Sequence, residues 1–181
     1  MTRAIQVEKS LSTSLPIARG MEVIVEPAKE TDISRLEEIY SAEELHRSLA
    51  QARWYVRSHF DYNSILVARV DGRIQGACFW RIEGEKVCGT GWIEDMWVEK
   101  GFRRLGLGER LLRKAVADLR EHFSKDGLVL RKIFLTTHVT NKAARDLYEK
   151  LGFAKCGEVD SMYEDGILTL MYGRDMRENP A

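Results

Sequence analysis

The stretch Trp92–Arg113, WIEDMWVEKGFRRLGLGERLLR, decides how the rest of the chain is read. Trp92 to Val98 reads as the end of an extended strand, and an amphipathic helix follows from about Gly106 to Phe123. In that helix Leu107, Leu111, Ala115, Leu119 and Phe123 recur at one-turn spacing. The short loop between them carries Arg103, Arg104, Gly106 and Gly108. Backbone N–H groups at a helix start are unpaired and lie at the positive end of its dipole, so they can hold a pyrophosphate. Glycines there let phosphates approach the backbone, and the arginines add charge that phosphates can use. No Lys-Ser/Thr pair follows Gly108, which excludes a P-loop, and a third glycine is missing for the dinucleotide pattern G-x-G-x-x-G. On this stretch alone, glycines that only shape a turn remain an open reading.

Outward from this point the chain alternates between strand and helix patterns. Glu22 to Glu26 alternates around Val23 and Val25 and stops at Pro27. Thr31 and Asp32 offer capping oxygens for a helix with Ile33, Leu36 and Ile39 on one face, and a second helical stretch runs from about Ala42 to Phe60. Ile65–Val70 and Ile74–Ile82 flank Asp71–Gly72, a strong hairpin signal. Downstream, Leu128–Thr137 reads as a buried strand, Asn141–Leu151 as a short helix ended by Gly152, and Phe153–Val159 with Ile167–Tyr172 as a last hairpin. The predicted order is β-α-α-β-β-β-α-β-α-β-β. It forms one α/β domain over 21–175, with a loosely ordered extension at 1–20 and a tail at 176–181.

Composition bounds the function. The chain has 181 residues, enough for one core, and 28 basic residues balance 28 acidic ones. A neutral balance argues against a dedicated nucleic-acid binder. Cys78, Cys88 and Cys156 form no CxxC pair, and none of the four histidines falls at ligand spacing beside them, so no metal site and three buried, reduced thiols are expected. The absence of a long apolar run points to no membrane span and a cytoplasmic location.

The spacing Arg103-x-x-Gly106-x-Gly108, after a strand and before an amphipathic helix, resembles motif A of the GCN5-related N-acetyltransferase (GNAT) family. Further on, Asn141-Lys-Ala-Ala-Arg-Asp-Leu-Tyr148-Glu-Lys-Leu-Gly-Phe153 is similar to that family's motif B. The likeness is specific over roughly residues 90–155; residues 21–90 match only in element order, and residues 1–20 do not match. It implies a GNAT-type fold, a mixed and largely antiparallel sheet flanked by helices, and acetyl-CoA as co-substrate. The strand backbone at Met96, Trp97 and Val98 would meet the pantetheine arm. The loop of Arg103, Arg104, Leu105, Gly106, Leu107, Gly108 and Glu109 would cradle the pyrophosphate. Asn141 would cap its helix and reach the pantetheine.

Acetyl transfer to an amine needs a neutral nucleophile, a polarised thioester carbonyl and an acid for the departing sulfur. Tyr148, two helical turns beyond Asn141, is the candidate acid. N–H groups near the splayed end of the Trp92–Val98 strand are candidates for the oxyanion site. Relatives that resemble N-terminal protein acetyltransferases carry a glutamate five residues before the asparagine; here that position is Thr136. Glu94 is therefore the candidate base, because strand alternation would place it on one face with Met96 and Val98. Asp95 would point the other way, and His138 is a lesser candidate. The acid-rich segments around 32–60 and 157–167, with Glu43, Glu44, Asp61, Glu158, Asp160, Glu164 and Asp165, would suit a cationic acceptor. The expected reaction is direct acetyl transfer to a primary amine of a small, polyamine-like molecule. A protein lysine or N-terminal acetyltransferase and a non-catalytic CoA-binding regulator are the alternatives, and a homodimer is compatible with any of them.

Overall fold

The computed structural model of the protein describes residues 21–42, 48–62 and 64–177. The 1–20 extension, most of the 176–181 tail, and Glu43 and Glu44 lie outside the described residues. The elements in chain order are β1 (Val23–Pro27), α1 (Ile33–Ala42), α2 (Leu49–Phe60), β2 (Ile65–Val70), β3 (Arg73–Ile82), β4 (Thr90–Val98), α3 (Leu107–Ser124), β5 (Lys132–His138), α4 (Lys142–Lys150), β6 (Ala154–Asp160) and β7 (Leu168–Asp175). This is the order read from the sequence. The strands form one seven-stranded sheet, β1-β2-β3-β4-β5-β7-β6. Every pair is antiparallel except β4 with β5.

Local chemistry accounts for most boundaries. Asp71 and Gly72 both have positive φ, 48° and 79°, the signature of a tight hairpin turn matched to strand twist. Ser48 accepts from the Gln51 N–H while Gln51 Oε1 accepts from the Ser48 N–H, so a reciprocal box starts α2. The helix expected from Ala42 therefore starts at Leu49. The strand expected from Leu128 starts only at Lys132, the first residue paired with β4, and the Arg131 N–H before it also turns to the Gly89 carbonyl.

The sheet is covered on both faces. One core packs α3 against the sheet through Leu111, Leu112, Ala115, Leu119 and Phe123, with Cys78, Ile93, Ile133, Leu135 and Tyr148. The other packs α1 and α2 through Leu36, Tyr40, Tyr55 and Val56 against Val67, Ala77, Phe79 and Trp97. Gly91 lets α3 lie close on β4, since a β-carbon there would come within 2.9 Å of Leu119. Cys78 is buried, but Cys88 and Cys156 are exposed; the former lies in a surface turn and the latter on the edge strand β6, so only one thiol is in the core. Among the described residues, no helix is long and apolar enough to cross a membrane.

Candidate active site

Two departures from regular pairing in β4 build the site. The parallel ladder to β5 covers only Thr90–Ile93 against Lys132–Leu135. Beyond it β4 stays with β3 up to Val98, and β5 stays with β7 up to His138. The strands diverge, so the edge of β4 from Glu94 onward presents ladder groups that β5 does not pair. The second departure is a bulge. Phe79 pairs with Asp95 and Trp80 with Ile93, which leaves Glu94 without a partner on β3.

The bulge resets the alternation of β4. Ile93 packs on the α3 side while Trp97, four residues on, packs on the α1–α2 side. Glu94 therefore does not share a face with Met96 and Val98, contrary to the strand alternation assumed from the sequence. Met96 and Val98 lie against the α3-side core. Glu94 lies on the α2 side, where its Oε2 meets His59 Nε2 at 3.0 Å and its Oε1 binds the Arg81 guanidinium. The bond from His59, with that from Arg81 and against the cost of burial, holds the Glu94 carboxyl below the usual carboxylate range. Asp95, the neighbour expected to point away, lies near enough to Cys78 and Tyr148 to raise both.

At the far end of β4 the loop enters α3 with Gly106 as its N-cap, left-handed at φ 84° and with no side-chain capping bond. Arg104 is also left-handed, at φ 64°. Arg103 Nε donates to the Val98 carbonyl at 2.9 Å, which ties the loop to the strand end. A β-carbon at Gly108 would lie 3.4 Å from Leu147, 3.8 Å from Met96 and 3.9 Å from Val98. Any longer side chain at 108 would fill the opening between β4 and α4. The cradle thus has the bare backbone and the room that a pyrophosphate-bearing arm requires. Leu107 and Trp97 are buried in opposite cores, so only their backbones can contribute. Leu105 and Arg104 lie in the loop itself. The Glu109 carboxylate is committed to Arg113 at 2.9 Å and Lys150 at 2.6 Å. Burial opposes its ionisation, yet these two cations hold it below its ordinary range. It joins α3 to α4 and leaves its N–H as its offer to an anion.

Asn141 caps α4, its Oδ1 accepting from the Ala144 N–H at 3.2 Å. Tyr148 follows on that helix, buried against Phe153 and Tyr172 at centroid distances of 6.3 and 5.8 Å. Burial, then Cys78 and Asp95, push its phenol far above the ordinary value, so it is a hydrogen-bond donor at any physiological pH.

On the opposite face of β5, Thr136 Oγ1 is 3.1 Å from the Tyr163 hydroxyl, and the Tyr163 ring lies 6.5 Å from His138. The β6–β7 turn thus reaches back over the position where the likeness had pointed to a glutamate. A cavity of about 510 Å³ abuts Glu94 and is lined also by His59, Tyr62, Trp80, Arg81 and His122. His59, Arg81 and Tyr163 had no signal in the sequence, since each reaches the site from a different segment. Among the described residues, no cluster of His, Cys, Asp and Glu could hold a metal ion.

The family model for the acetyltransferase (GNAT) family matches residues 31–153. The chain belongs to that family. Membership bears out the fold class, and the family is one of acetyltransferases. The chain is similar to an N-alpha-acetyltransferase of Sulfurisphaera tokodaii, 29% identical over 111 residues, 57% of this chain and 64% of that protein. It is also similar to human N-alpha-acetyltransferase 30, 29% identical over 104 residues, 50% of this chain but 27% of that protein. The chain thus spans less than two thirds of either relative. Among solved structures, one of the NatC complex bound to Gag peptide and CoA has a chain of like fold. Its TM-score is 0.71 at 17% identity, covering 86% of this chain and 99% of that one.

Proposed function

We propose that this protein transfers the acetyl group of acetyl-CoA to the α-amine at the N-terminus of a polypeptide. The observation that carries this reading is the setting of Glu94. A carboxylate held by His59 and Arg81 below its usual range is a weak base. An α-amine, with a pKa of roughly 7.7–8.0, is already about half to two thirds neutral at pH 8, whereas a lysine amine at roughly 10.4 is almost wholly charged. A weak base at the bulge suits the first and serves the second poorly. Both Glu94 oxygens already face cationic or donor groups, so the site offers little surplus negative charge to a polyamine. The likeness to N-alpha-acetyltransferases supports the same acceptor.

Acetyl-CoA supplies an activated thioester. In this reading, the backbone edge of β4 past the bulge and the loop at 103–109 hold its arm, and Tyr148 donates to the departing sulfur. A phenol raised by burial favours a strong hydrogen bond over free release of its proton, so donation and bond breaking are concerted. Glu94 takes the ammonium proton on the α2 side, and Asn141 holds the start of α4. No protein nucleophile is needed.

The small, polyamine-like acceptor expected from the sequence keeps one observation in its favour, the exposed acids Glu158, Asp160, Glu164 and Asp165 on the last hairpin. One screen separates the two. CoA release is followed with peptides bearing a free N-terminus, the same peptides Nα-blocked but with a free lysine, and spermidine, and the products are mapped by mass. Acetylation confined to the free α-amine is expected. Preferential turnover of spermidine or of the blocked peptide would overturn the proposal.

A further inference from the structure

Among the described residues His59 is the one imidazole bonded to the β4 bulge, and both of its nitrogens face acceptors. Nδ1 lies 3.0 Å from the Tyr55 carbonyl oxygen, which can only accept, so Nδ1 carries a proton. Nε2 lies 3.0 Å from Glu94 Oε2. If Nε2 were bare, its lone pair would face a carboxylate oxygen at hydrogen-bond distance, which is repulsive. One more proton must therefore sit between them. Arg81 on the other carboxylate oxygen favours the ionised acid, so Nε2 is the donor to Glu94.

The ring is clamped as well as bonded. It packs on Tyr55 at 4.5 Å and edge-on to Phe79 at 5.3 Å, both centroid distances, and its side chain is only 11% exposed. The charged and titratable groups around the pair are Arg81 and, bonded to it, Glu83 from the sheet side, with Tyr62, Lys86 and His122 across the cavity. Glu83 answers Arg81 and Asp126 answers Lys86, so among the described residues His59 is the partner of Glu94 that no other carboxylate engages.

We propose that His59 is a positioning residue for acetyl transfer, which shares a proton with Glu94 and thereby fixes the aim and the base strength of that carboxylate. The pair spans α2 and the β4 bulge, 35 positions apart in sequence. It converts what would be an ordinary glutamate into an aimed, weak base, and so selects for amines that are partly neutral in solution. This rests on the reading of Glu94 as the base.

The test uses the full chain and the peptide acceptor turned over best in the screen above. For His59→Gln, kcat/KM should fall, and the acid limb that remains after division by the neutral fraction of the acceptor amine should move to higher pH. The sign follows from the structure: the bond from His59 is the largest influence lowering the Glu94 carboxyl, so its loss lets that group rise and protonate sooner as pH falls. The loss should appear below about pH 5: near pH 4.3, where an unperturbed glutamate is half protonated, the rate relative to its own plateau should fall roughly twofold below wild type. An unmoved limb in a folded His59→Gln protein overturns the proposal. Glu94→Gln separates the two ideas. If it abolishes the limb while His59→Gln leaves it in place, only the role of His59 fails; if it leaves the limb intact, the base assignment fails and His59 with it. A direct measurement needs no activity: long-range ¹⁵N–¹H correlation on labelled protein at pH 7, with His59 assigned by its loss in His59→Gln. Protons on both ring nitrogens are expected, and a bare Nδ1 or Nε2 would overturn the proposal.

Discussion

The two faces of β4 work by different means. Toward α3 and α4 the chain offers mainly backbone: a strand edge that β5 leaves, the N–H groups of the first turn of α3, and room kept by Gly108. Toward α2 it offers side chains gathered from separate segments, with Glu94 from the bulge, His59 from α2 and Arg81 from β3. A backbone cradle depends on glycine positions within one short stretch, so spacing reveals it. A cluster of side chains depends on register and packing across the sheet, so spacing does not. In the proposed reaction the co-substrate lies on the first face and the acceptor chemistry on the second.

The largest expected effect breaks the first face alone. Gly108→Trp would drive an indole into the gap bounded by Leu147, Met96 and Val98, where even a β-carbon reaches contact. Calorimetry should show CoA affinity reduced by about 100-fold or more, roughly 2.7 kcal/mol. Gly108 is the cleaner choice over Gly106, whose φ of 84° makes any side chain there strained whatever it does to binding. Unchanged CoA affinity in a folded Gly108→Trp protein would mean that the co-substrate does not enter between β4 and α4.

Next in size is Tyr148→Phe, which leaves the contacts to Phe153 and Tyr172 and removes only the hydroxyl. A fall in kcat of about 100-fold is expected, with CoA affinity and Tm little changed. Because burial raises the phenol, no alkaline limb from Tyr148 should appear in the neutral range. A variant with near wild-type turnover, chemistry being rate-limiting, would make Tyr148 a packing residue and leave the α3–α4 face as a binding surface only.

These two variants probe what spacing alone could reach. The helix faces, the Asp71–Gly72 turn and the β-α-α-β-β-β-α-β-α-β-β order were legible because periodicity and turn chemistry are local. The cradle proposed at Arg103–Gly108 is legible only through its likeness to the family motif, because glycines that merely shape a turn look the same on this stretch alone. The face of Glu94 was not, because one unpaired residue in β4 reverses every side chain that follows, and nothing in EDMW marks the bulge. Nor was His59, whose place depends on how α2 packs on Phe79. The thiols misled for a simpler reason: cysteine is usually buried, but a surface turn and an edge strand took Cys88 and Cys156 out of the core.

The smallest expected effect sharpens the second face. Tyr163 is 61% exposed, yet its hydroxyl lies 3.1 Å from Thr136 Oγ1 and its ring leans toward His138. That single bond ties the β6–β7 turn over β5, next to where an acceptor would approach from the α2 side. An exposed hydroxyl pair of this kind is worth about 0.5–1 kcal/mol net, because water replaces it when it breaks. Tyr163→Phe keeps the ring and frees the turn. If the turn orders the acceptor, KM for a peptide should rise roughly two- to fivefold with kcat and CoA affinity unchanged. Thr136→Val should give a rise of the same size, and the double variant no more than either alone, since both remove one bond. An additive double variant would mean that the two side chains act separately, and an unchanged KM in all three would place the acceptor on α2 and the cavity beside Glu94, away from the last hairpin.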